Sequence, residues 1–169
     1  MWLGLGNCYV YYRFEPEINI LTIEQTLRMM VDVVADGGNV EFNLGPKPDG
    51  TLVDFETERI KAMGDWLAVN GQSIYGADRS PVKSREGFRL THRPDLNRLY
   101  VHVYDWPEDG KVVLTGLGLE VRSASLLANG TKVSTSSSDS GDVVVELPEK
   151  RPSEHVTVVA IDYVGEIGG

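Results

Sequence analysis

One stretch of the chain constrains its fold more than any other: residues 34–50, with the sequence VADGGNVEFNLGPKPDG. It opens as the end of a helix that stops at Gly37, because glycine readily takes the left-handed conformation that follows a helix. It continues as a strand that ends in the turn residues 45–50, since proline lacks an N–H and glycine supplies positive φ. A second helix follows the turn. The order of helix, strand and helix predicts one αβα unit of a parallel α/β sheet or barrel.

From Phe88 onward the pattern changes to short strands, which favours an all-β domain. Asn129-Gly130 is a strong two-residue hairpin signal between two of these strands. Their number and spacing predict an antiparallel β-sandwich. The polar segment before them, with Pro81, indicates a linker. We therefore expect an α/β segment at 1–76, a linker at 77–87 and a β-sandwich at 88–169, with strands predicted at 99–106, 111–115, 119–127, 132–136, 142–147 and 156–163.

The two helices have recognisable ends and faces. Thr22 and Gln25 match a capping box, so the first helix should begin at Ile23. Its apolar residues recur at helical spacing and predict one buried stripe: Leu27, Met30, Val31 and Val34. Asp32 and Asp36 should then lie on the solvated side. Asp54 is predicted to cap the second helix, which buries Ile60, Met63 and Leu67 and stops at Asn70-Gly71.

The strand within the first stretch alternates between two faces. Val40, Phe42 and Leu44 suit a face covered by helices, whereas Asn39, Glu41 and Asn43 suit the inside of a barrel. Inward residues near the carboxyl end of a barrel strand line the active site, which makes Asn43 a candidate site residue. The alternative, that the asparagine satisfies backbone groups at the strand end, stays open. Glu41 would need a hydrogen bond or a charged partner.

Composition excludes several classes of function. The net charge of −9 argues against nucleic acid, because phosphate contacts need a basic face. No segment has the apolar length of a membrane span. One cysteine and three scattered histidines indicate neither a disulfide nor a metal site, and no cofactor is expected. Residues 1–6 lack the features of a signal peptide, so the compartment is not determined.

Carboxylate pairs are candidates for acid and base catalysis, but none here is placed for it. Three pairs fit solvated faces: Asp32/Asp36, Glu56/Glu58 and Asp105/Asp109. A glycosidase pair would need two carboxyls that converge from different strand ends. Asn129-Gly130-Thr131 is also a glycosylation sequon, which matters only in a secretory pathway.

Five motifs in the first half occur in a fixed order: Gly37-Gly38-Asn39, Asn43-Leu44-Gly45-Pro46, Asp49-Gly50, Gly64-Asp65-Trp66-Leu67 and Asn70-Gly71-Gln72-Ser73-Ile74-Tyr75. As an ordered set they resemble the α-L-fucosidases of glycoside hydrolase family 29. The departures are Glu41 in an apolar run and Gln72-Ser73 in place of Glu-Ala. The strand and turn at 99–110 also resemble the C-terminal sandwich of the family, so most of the chain is covered.

The resemblance implies the last αβα segment of a (β/α) barrel followed by an antiparallel β-sandwich. It implies a retaining exo-glycosidase that releases terminal α-L-fucose from fucosylated glycans, with an aspartate nucleophile and a separate acid/base carboxylate. Both carboxylates come from earlier strands in the family, and no matching motif is found here. We therefore assign no catalytic residue and expect this chain alone to be inactive. Full-length members are expected to be secreted, lysosomal or periplasmic, and homo-oligomers remain open.

Two substrate-binding residues are proposed from these arguments. Counting back from Gly37 places 8–11 at the family's aromatic loop, whose tryptophan walls the sugar pocket. Tyr9 stands at that position, and Asn43 is the second candidate. The alternative to a fucosidase fragment is a non-catalytic carbohydrate-binding or interaction module, with Tyr100, His102 and Tyr104 as an exposed aromatic platform.

Overall fold

The computed structural model describes residues 2–5, 10–82, 84–165 and 167, with only the backbone of Trp2 and Leu3. Its first part contains β1 (Trp2–Gly4), α1 (Ile23–Ala35), β2 (Glu41–Asn43) and α2 (Asp54–Asn70). The strands β1 and β2 pair in parallel, with Gly4 opposite Asn43. Parallel pairing confirms the α/β character predicted for this part of the chain.

The first helix begins and ends as the sequence predicts. The Thr22 hydroxyl accepts the Gln25 N–H at 3.1 Å, and the Gln25 side chain accepts the Thr22 N–H at 2.8 Å. These two bonds satisfy donors that the first helical turn leaves unpaired. At the other end Gly37 has a φ of +82°. The buried residues of α1 include the whole predicted stripe: Thr26, Leu27, Met30, Val31, Val34 and Ala35.

The second helix differs from the prediction at its start. Asp54 is the first residue of α2, and Val53 occupies the cap position without a side-chain cap bond. The Asp54 carboxylate therefore lies in the first turn, where the helix dipole still favours a negative charge. The helix ends at Asn70 and continues as a 3₁₀ turn, Gly71–Ser73, which confirms the predicted stop.

Two antiparallel sheets follow and confirm the β-sandwich. A five-stranded sheet has the order β3-β4-β5-β10-β7, and a three-stranded sheet has the order β6-β9-β8. The strands are β3 (Asp78–Arg79), β4 (Phe88–Arg93), β5 (Arg98–Val103), β6 (Lys111–Leu114), β7 (Glu120–Leu126), β8 (Ser134–Ser137), β9 (Val143–Glu146) and β10 (Thr157–Val164). The segment interpreted as a linker thus contains β3, which pairs with β4 at the edge of the larger sheet.

The turn at Asn129-Gly130 forms and closes a short hairpin between the end of β7 and the residues before β8. The Asn129 side chain accepts the Thr131 N–H at 3.0 Å, and Gly130 has a φ of +71°. After the isolated bridge between Ser125 and Lys132, however, β7 stays in the five-stranded sheet and β8 crosses to the other. The predicted hairpin therefore forms but is shorter than expected: the Leu126 N–H donates to Thr131 and the Val133 N–H to Ala124, after which β8 pairs with β9.

Two hydrophobic cores share the five-stranded sheet. One lies between the two sheets and includes Leu99, Val101 and Val103 of β5. The other lies between the opposite face of the larger sheet and the two helices, and it includes Tyr100, Tyr104, Leu27, Met63 and Trp66. The strand predicted to be half-buried is therefore buried on both faces. Among the described residues, neither helix is long and apolar enough to cross a bilayer.

A polar seam joins α1 to the sandwich around Tyr104. Its hydroxyl donates to Asp32 Oδ1 at 2.9 Å, and Arg89 Nε lies 2.7 Å from the same carboxylate oxygen. The guanidinium groups of Arg28 and Arg89 lie 4.8 Å and 5.4 Å from the centre of the Tyr104 ring. Asp32 was expected on the solvated side of the helix. It instead binds the sandwich, because β4 and Tyr104, the residue after β5, pack against that side of α1.

Candidate functional site

The candidate site lies where β1 and β2 end. Because these strands are parallel, their carboxyl ends meet at one edge, and the loops that follow them lie side by side. Asn43 is the last residue of β2 and is exposed. On the opposite face of the strand, Val40 and Phe42 pack against the core formed with α1 and α2. The predicted assignment of Val40 and Phe42 to the helix side is therefore confirmed.

A hydrogen bond from Gly45 to the Glu56 side chain anchors the loop after β2. The Glu56 side chain is 7% exposed, and its Oε1 accepts the Gly45 N–H at 3.0 Å. Its Oε2 is buried and has no hydrogen-bond partner among the described residues. Glu56 was expected on a solvated face together with Glu58, and that expectation is wrong. The helical spacing from Glu56 to Ile60, Met63 and Leu67 was the signal that could have placed it inward.

The same loop contains a carboxylate, Asp49, that binds only a residue of its own turn among the contacts of the described residues. Asp49 accepts the backbone N–H of Thr51 at 3.0 Å and the Thr51 hydroxyl at 2.7 Å. These hydrogen bonds lower the pKa of Asp49. An exposed carboxylate that closes a turn and stays ionised is poorly suited to act as a general acid. Asp49 and Glu56 thus both bind backbone groups at this edge.

The loop after β1 packs directly on the loop after β2. A Cβ atom added to Gly45 would lie 2.2 Å from the backbone nitrogen of Tyr11, so only glycine permits this approach. The Leu21 N–H donates to the Leu5 carbonyl at 3.0 Å and closes the base of the loop after β1. Tyr9 lies outside the described residues, and its proposed role as a pocket wall remains a prediction.

The three residues predicted to form an exposed aromatic platform lie elsewhere and are buried. Tyr100 and His102 are fully buried, and Tyr104 is 4% exposed. His102 Nε2 lies 2.9 Å from the Thr91 hydroxyl, which in turn donates to the Ser73 carbonyl. Burial lowers the pKa of His102 to about 3. The helices α1 and α2 cover this face, so it is not a surface on which a sugar can stack.

The arrangement defines a class of architecture: a parallel α/β segment with helices on one face, joined to an antiparallel β-sandwich. Comparison with known proteins is more specific. The sequence model of the α-L-fucosidase family matches residues 2–72. Plasma α-L-fucosidase of Rattus norvegicus is 36% identical over 143 residues, which cover 81% of this chain and 31% of the rat enzyme.

Solved structures give the same result for the fold. α-L-Fucosidase isoenzyme 1 from Paenibacillus thiaminolyticus matches with a TM-score of 0.86 at 26% identity, over 97% of this chain and 39% of that one. The α-fucosidase of Thermotoga maritima, solved in complex with a mechanism-based inhibitor, matches with a TM-score of 0.81 at 29% identity. That match covers 95% of this chain and 38% of the Thermotoga chain.

These matches confirm the resemblance to the α-L-fucosidases and extend it over the sandwich. The chain spans about a third of the length of the relatives it matches. It is therefore similar in sequence and fold to the C-terminal part of such an enzyme: the end of the α/β segment and the β-sandwich that follows it.

Proposed function

We propose that this chain is the C-terminal part of a retaining α-L-fucosidase. It would supply the end of the catalytic barrel and the sandwich that braces it. The observation that carries the proposal is the parallel β1–β2 pair. One face of β2 packs on α1 and α2, as in a barrel strand, and Asn43 is exposed at its carboxyl end. Carboxyl ends of barrel strands are where substrates bind.

The catalytic carboxylates would come from the barrel strands that precede these in the family. A retaining glycosidase needs a nucleophile and an acid/base whose carboxyl groups lie about 5 Å apart. Asp49 and Glu56, the carboxylates of the loop and helix start after β2, bind backbone N–H groups instead. Asn43 would border the fucose pocket, where its amide orients a neighbouring group. The substrate would be a fucosylated glycan, and the Thermotoga enzyme is known in complex with fucose.

The experiment compares this chain alone with the same chain joined to the upstream part of the rat plasma enzyme. The chain alone should not hydrolyse an aryl α-L-fucoside, whereas the joined protein should. In the joined protein Asn43→Ala should lower kcat about tenfold if a positioning contact is lost. The control is Asn129→Ala, an amide in a remote turn of the sandwich, which should leave kcat unchanged.

Two results would contradict the proposal. One is turnover by the chain alone that disappears when one of its own carboxylates is replaced. The other is a joined protein that folds, yet hydrolyses no fucoside while the chain binds glycans. The second result would favour a carbohydrate-binding module, which would need a surface other than the buried face of Tyr100, His102 and Tyr104.

A further inference from the structure

The loop after β1 exposes apolar side chains that the chain itself does not cover. Within the nine residues 10–18, four large apolar side chains are exposed: Val10 by 71%, Tyr12 by 49%, Phe14 by 73% and Ile18 by 92%. Single exposed apolar residues are common, but exposed apolar side chains that touch one another mark an interaction site, and Tyr12 and Phe14 are in contact. Neither the two catalytic carboxylates nor Asn43 accounts for this group.

Two of these residues form a defined shape. The rings of Tyr12 and Phe14 meet edge to face, with centroids 6.4 Å apart and planes at 79°. We call this pair the aromatic corner. Edge-to-face contact is a favoured geometry for aromatic rings, so each ring restricts the other. The corner therefore presents the apolar ring of Phe14 beside the ring of Tyr12, which carries a phenolic hydroxyl.

Contacts of the described residues tie the corner to the rest of the chain. Its base is closed by the Leu21–Leu5 hydrogen bond of 3.0 Å, and the Glu15 N–H donates to the Tyr12 carbonyl at 3.2 Å. Tyr11, between Val10 and Tyr12, packs with its backbone on Gly45. Because Glu56 fixes Gly45, the corner is tied to the same loop that follows Asn43. Rigid presentation lowers the entropy lost on binding.

The position of the corner indicates what it binds. It follows the carboxyl end of β1, the edge at which α/β proteins bind their ligands. One face of a pyranose ring carries axial C–H bonds that pack on an aromatic ring, while its hydroxyls can bond a phenol. Neutral sugars also suit a chain of net charge −9, which would repel an acidic ligand.

We propose that the aromatic corner of Tyr12 and Phe14 binds the sugar to which the fucose is attached. The inference deepens the proposed function and rests on it for the identity of the ligand. The corner would select fucosylated oligosaccharides over fucosides with small leaving groups. The competing occupant is a segment of the upstream barrel that covers the same side chains in the complete enzyme.

The first test is binding by the 169-residue chain, measured by saturation-transfer NMR with lactose and fucosylated lactose as probes. Saturation should pass from aromatic protons to the sugar C–H protons. Tyr12→Ala and Phe14→Ala should each weaken binding about three- to tenfold. Tyr75→Ala is the matched control, because Tyr75 is 62% exposed and lies outside this loop. The denaturant midpoints of all variants should agree, since the corner is on the surface.

The second test uses the joined enzyme described above and two substrates, fucosylated lactose and fucosyl fluoride. The ratio of kcat/KM for fucosylated lactose to that for fucosyl fluoride should fall about three- to tenfold in Tyr12→Ala and Phe14→Ala. Tyr12→Phe keeps the aromatic ring, so this ratio should fall less in Tyr12→Phe than in Tyr12→Ala. The control Tyr75→Ala should leave the ratio unchanged.

The two proposals fail in different ways. If Tyr12→Ala and Phe14→Ala lower kcat/KM equally on both substrates, or if the joined enzyme no longer folds in these variants, then upstream protein covers the corner. Either result overturns the inference. The inference is also overturned if the chain does not bind lactose, or if the wild type and both alanine variants bind it equally. If the joined enzyme hydrolyses neither substrate while Tyr12→Ala still weakens lactose binding, the proposed fucosidase function fails and the sugar site stands.

Discussion

The carboxylate of Glu56 holds the backbone N–H of Gly45 at 3.0 Å, and this single contact links the start of α2 to the loop after β2. Glu56 is buried, so its Oε1 replaces water as the partner of that N–H. The loop it supports carries the close approach to Tyr11. The contact therefore positions both loops at the candidate site, although neither residue is expected to touch the substrate.

Removing this acceptor should destabilise the chain. Glu56→Leu leaves the Gly45 N–H without its partner and should cost about 1–3 kcal/mol in the free energy of unfolding. Glu56→Gln keeps an acceptor oxygen and should cost less. Urea denaturation measures the difference, and amide exchange at Gly45 should accelerate in the leucine variant alone. Glu58→Leu, whose carboxylate is exposed and pairs with Arg59, is the control and should change stability little. Equal effects at positions 56 and 58 would contradict the role of the contact.

Two glycine-to-alanine changes should have opposite signs. In Gly45→Ala the new methyl group would meet the Tyr11 backbone, so the two loops must separate and stability should fall. In Gly64→Ala the methyl group has no atom within 4 Å, and the residue lies inside α2. Alanine there should raise stability by about 0.5–1 kcal/mol through helix propensity. Thermal unfolding of both variants tests the pair. A neutral Gly45→Ala would refute the close contact between the loops.

Stability should fall as the pH drops below about 6.5. Burial lowers the pKa of His102 to about 3, so between these values the unfolded chain takes up a proton that the folded chain does not. Each pH unit in this window should remove about 1.4 kcal/mol. Burial also lowers the pKa of His92, which adds to the same slope.

The pH dependence is best measured as a difference between variants. Urea midpoints of wild type and His102→Gln between pH 5 and about 6.5 isolate the histidine, because the carboxylates titrate mainly below this range. The slope should be shallower in His102→Gln. An unchanged slope in His102→Gln would mean that this imidazole takes up a proton as readily in the folded chain as in the unfolded chain.

The polar seam around Tyr104 should contribute measurably to the docking of α1 on the sandwich. Tyr104→Phe keeps the ring between Arg28 and Arg89 but removes the hydroxyl bonds to Asp32 and to the Arg28 carbonyl. The expected loss is about 1–2 kcal/mol, since the Asp32 carboxylate loses one donor and keeps Arg89 as its partner. Tyr75→Phe, at an exposed tyrosine, serves as the reference. If the two variants have the same stability, the hydroxyl of Tyr104 is not part of the seam.

The domain boundaries at 76 and 88 remain a proposal that limited proteolysis can test. Cleavage should begin within 77–87, outside the short pairing of β3 with β4. The shared core makes separation costly, because removing the helices would expose Tyr100, Tyr104 and Val158. A fragment that begins at Phe88 should therefore bind hydrophobic dyes more strongly than the whole chain does. Equal dye binding would argue that the sandwich closes its core alone.

The sequence by itself determined the features that depend on neighbouring residues. The capping box at Thr22 and Gln25, the stop at Gly37 and the turn at Asn129-Gly130 are all local hydrogen-bond or φ preferences, and all of them form. The alternation that assigned Val40 and Phe42 to the helix side follows from strand geometry alone. The family motifs are short runs of consecutive residues and can be read from the sequence directly. Nothing distant is needed to recognise any of these.

Only the tertiary structure decided which surfaces meet. The alternation of β5 predicted one buried face, but the helices cover the other, and so Tyr100 and His102 became core residues. The same packing drew Asp32 into contact with Arg89 and separated β8 from β7. Glu56 was assigned to a solvated face because its side chain is polar, yet a backbone N–H eleven residues away gives it a buried partner. Such pairings are set by contacts between elements far apart in sequence, and periodicity within one element cannot determine them.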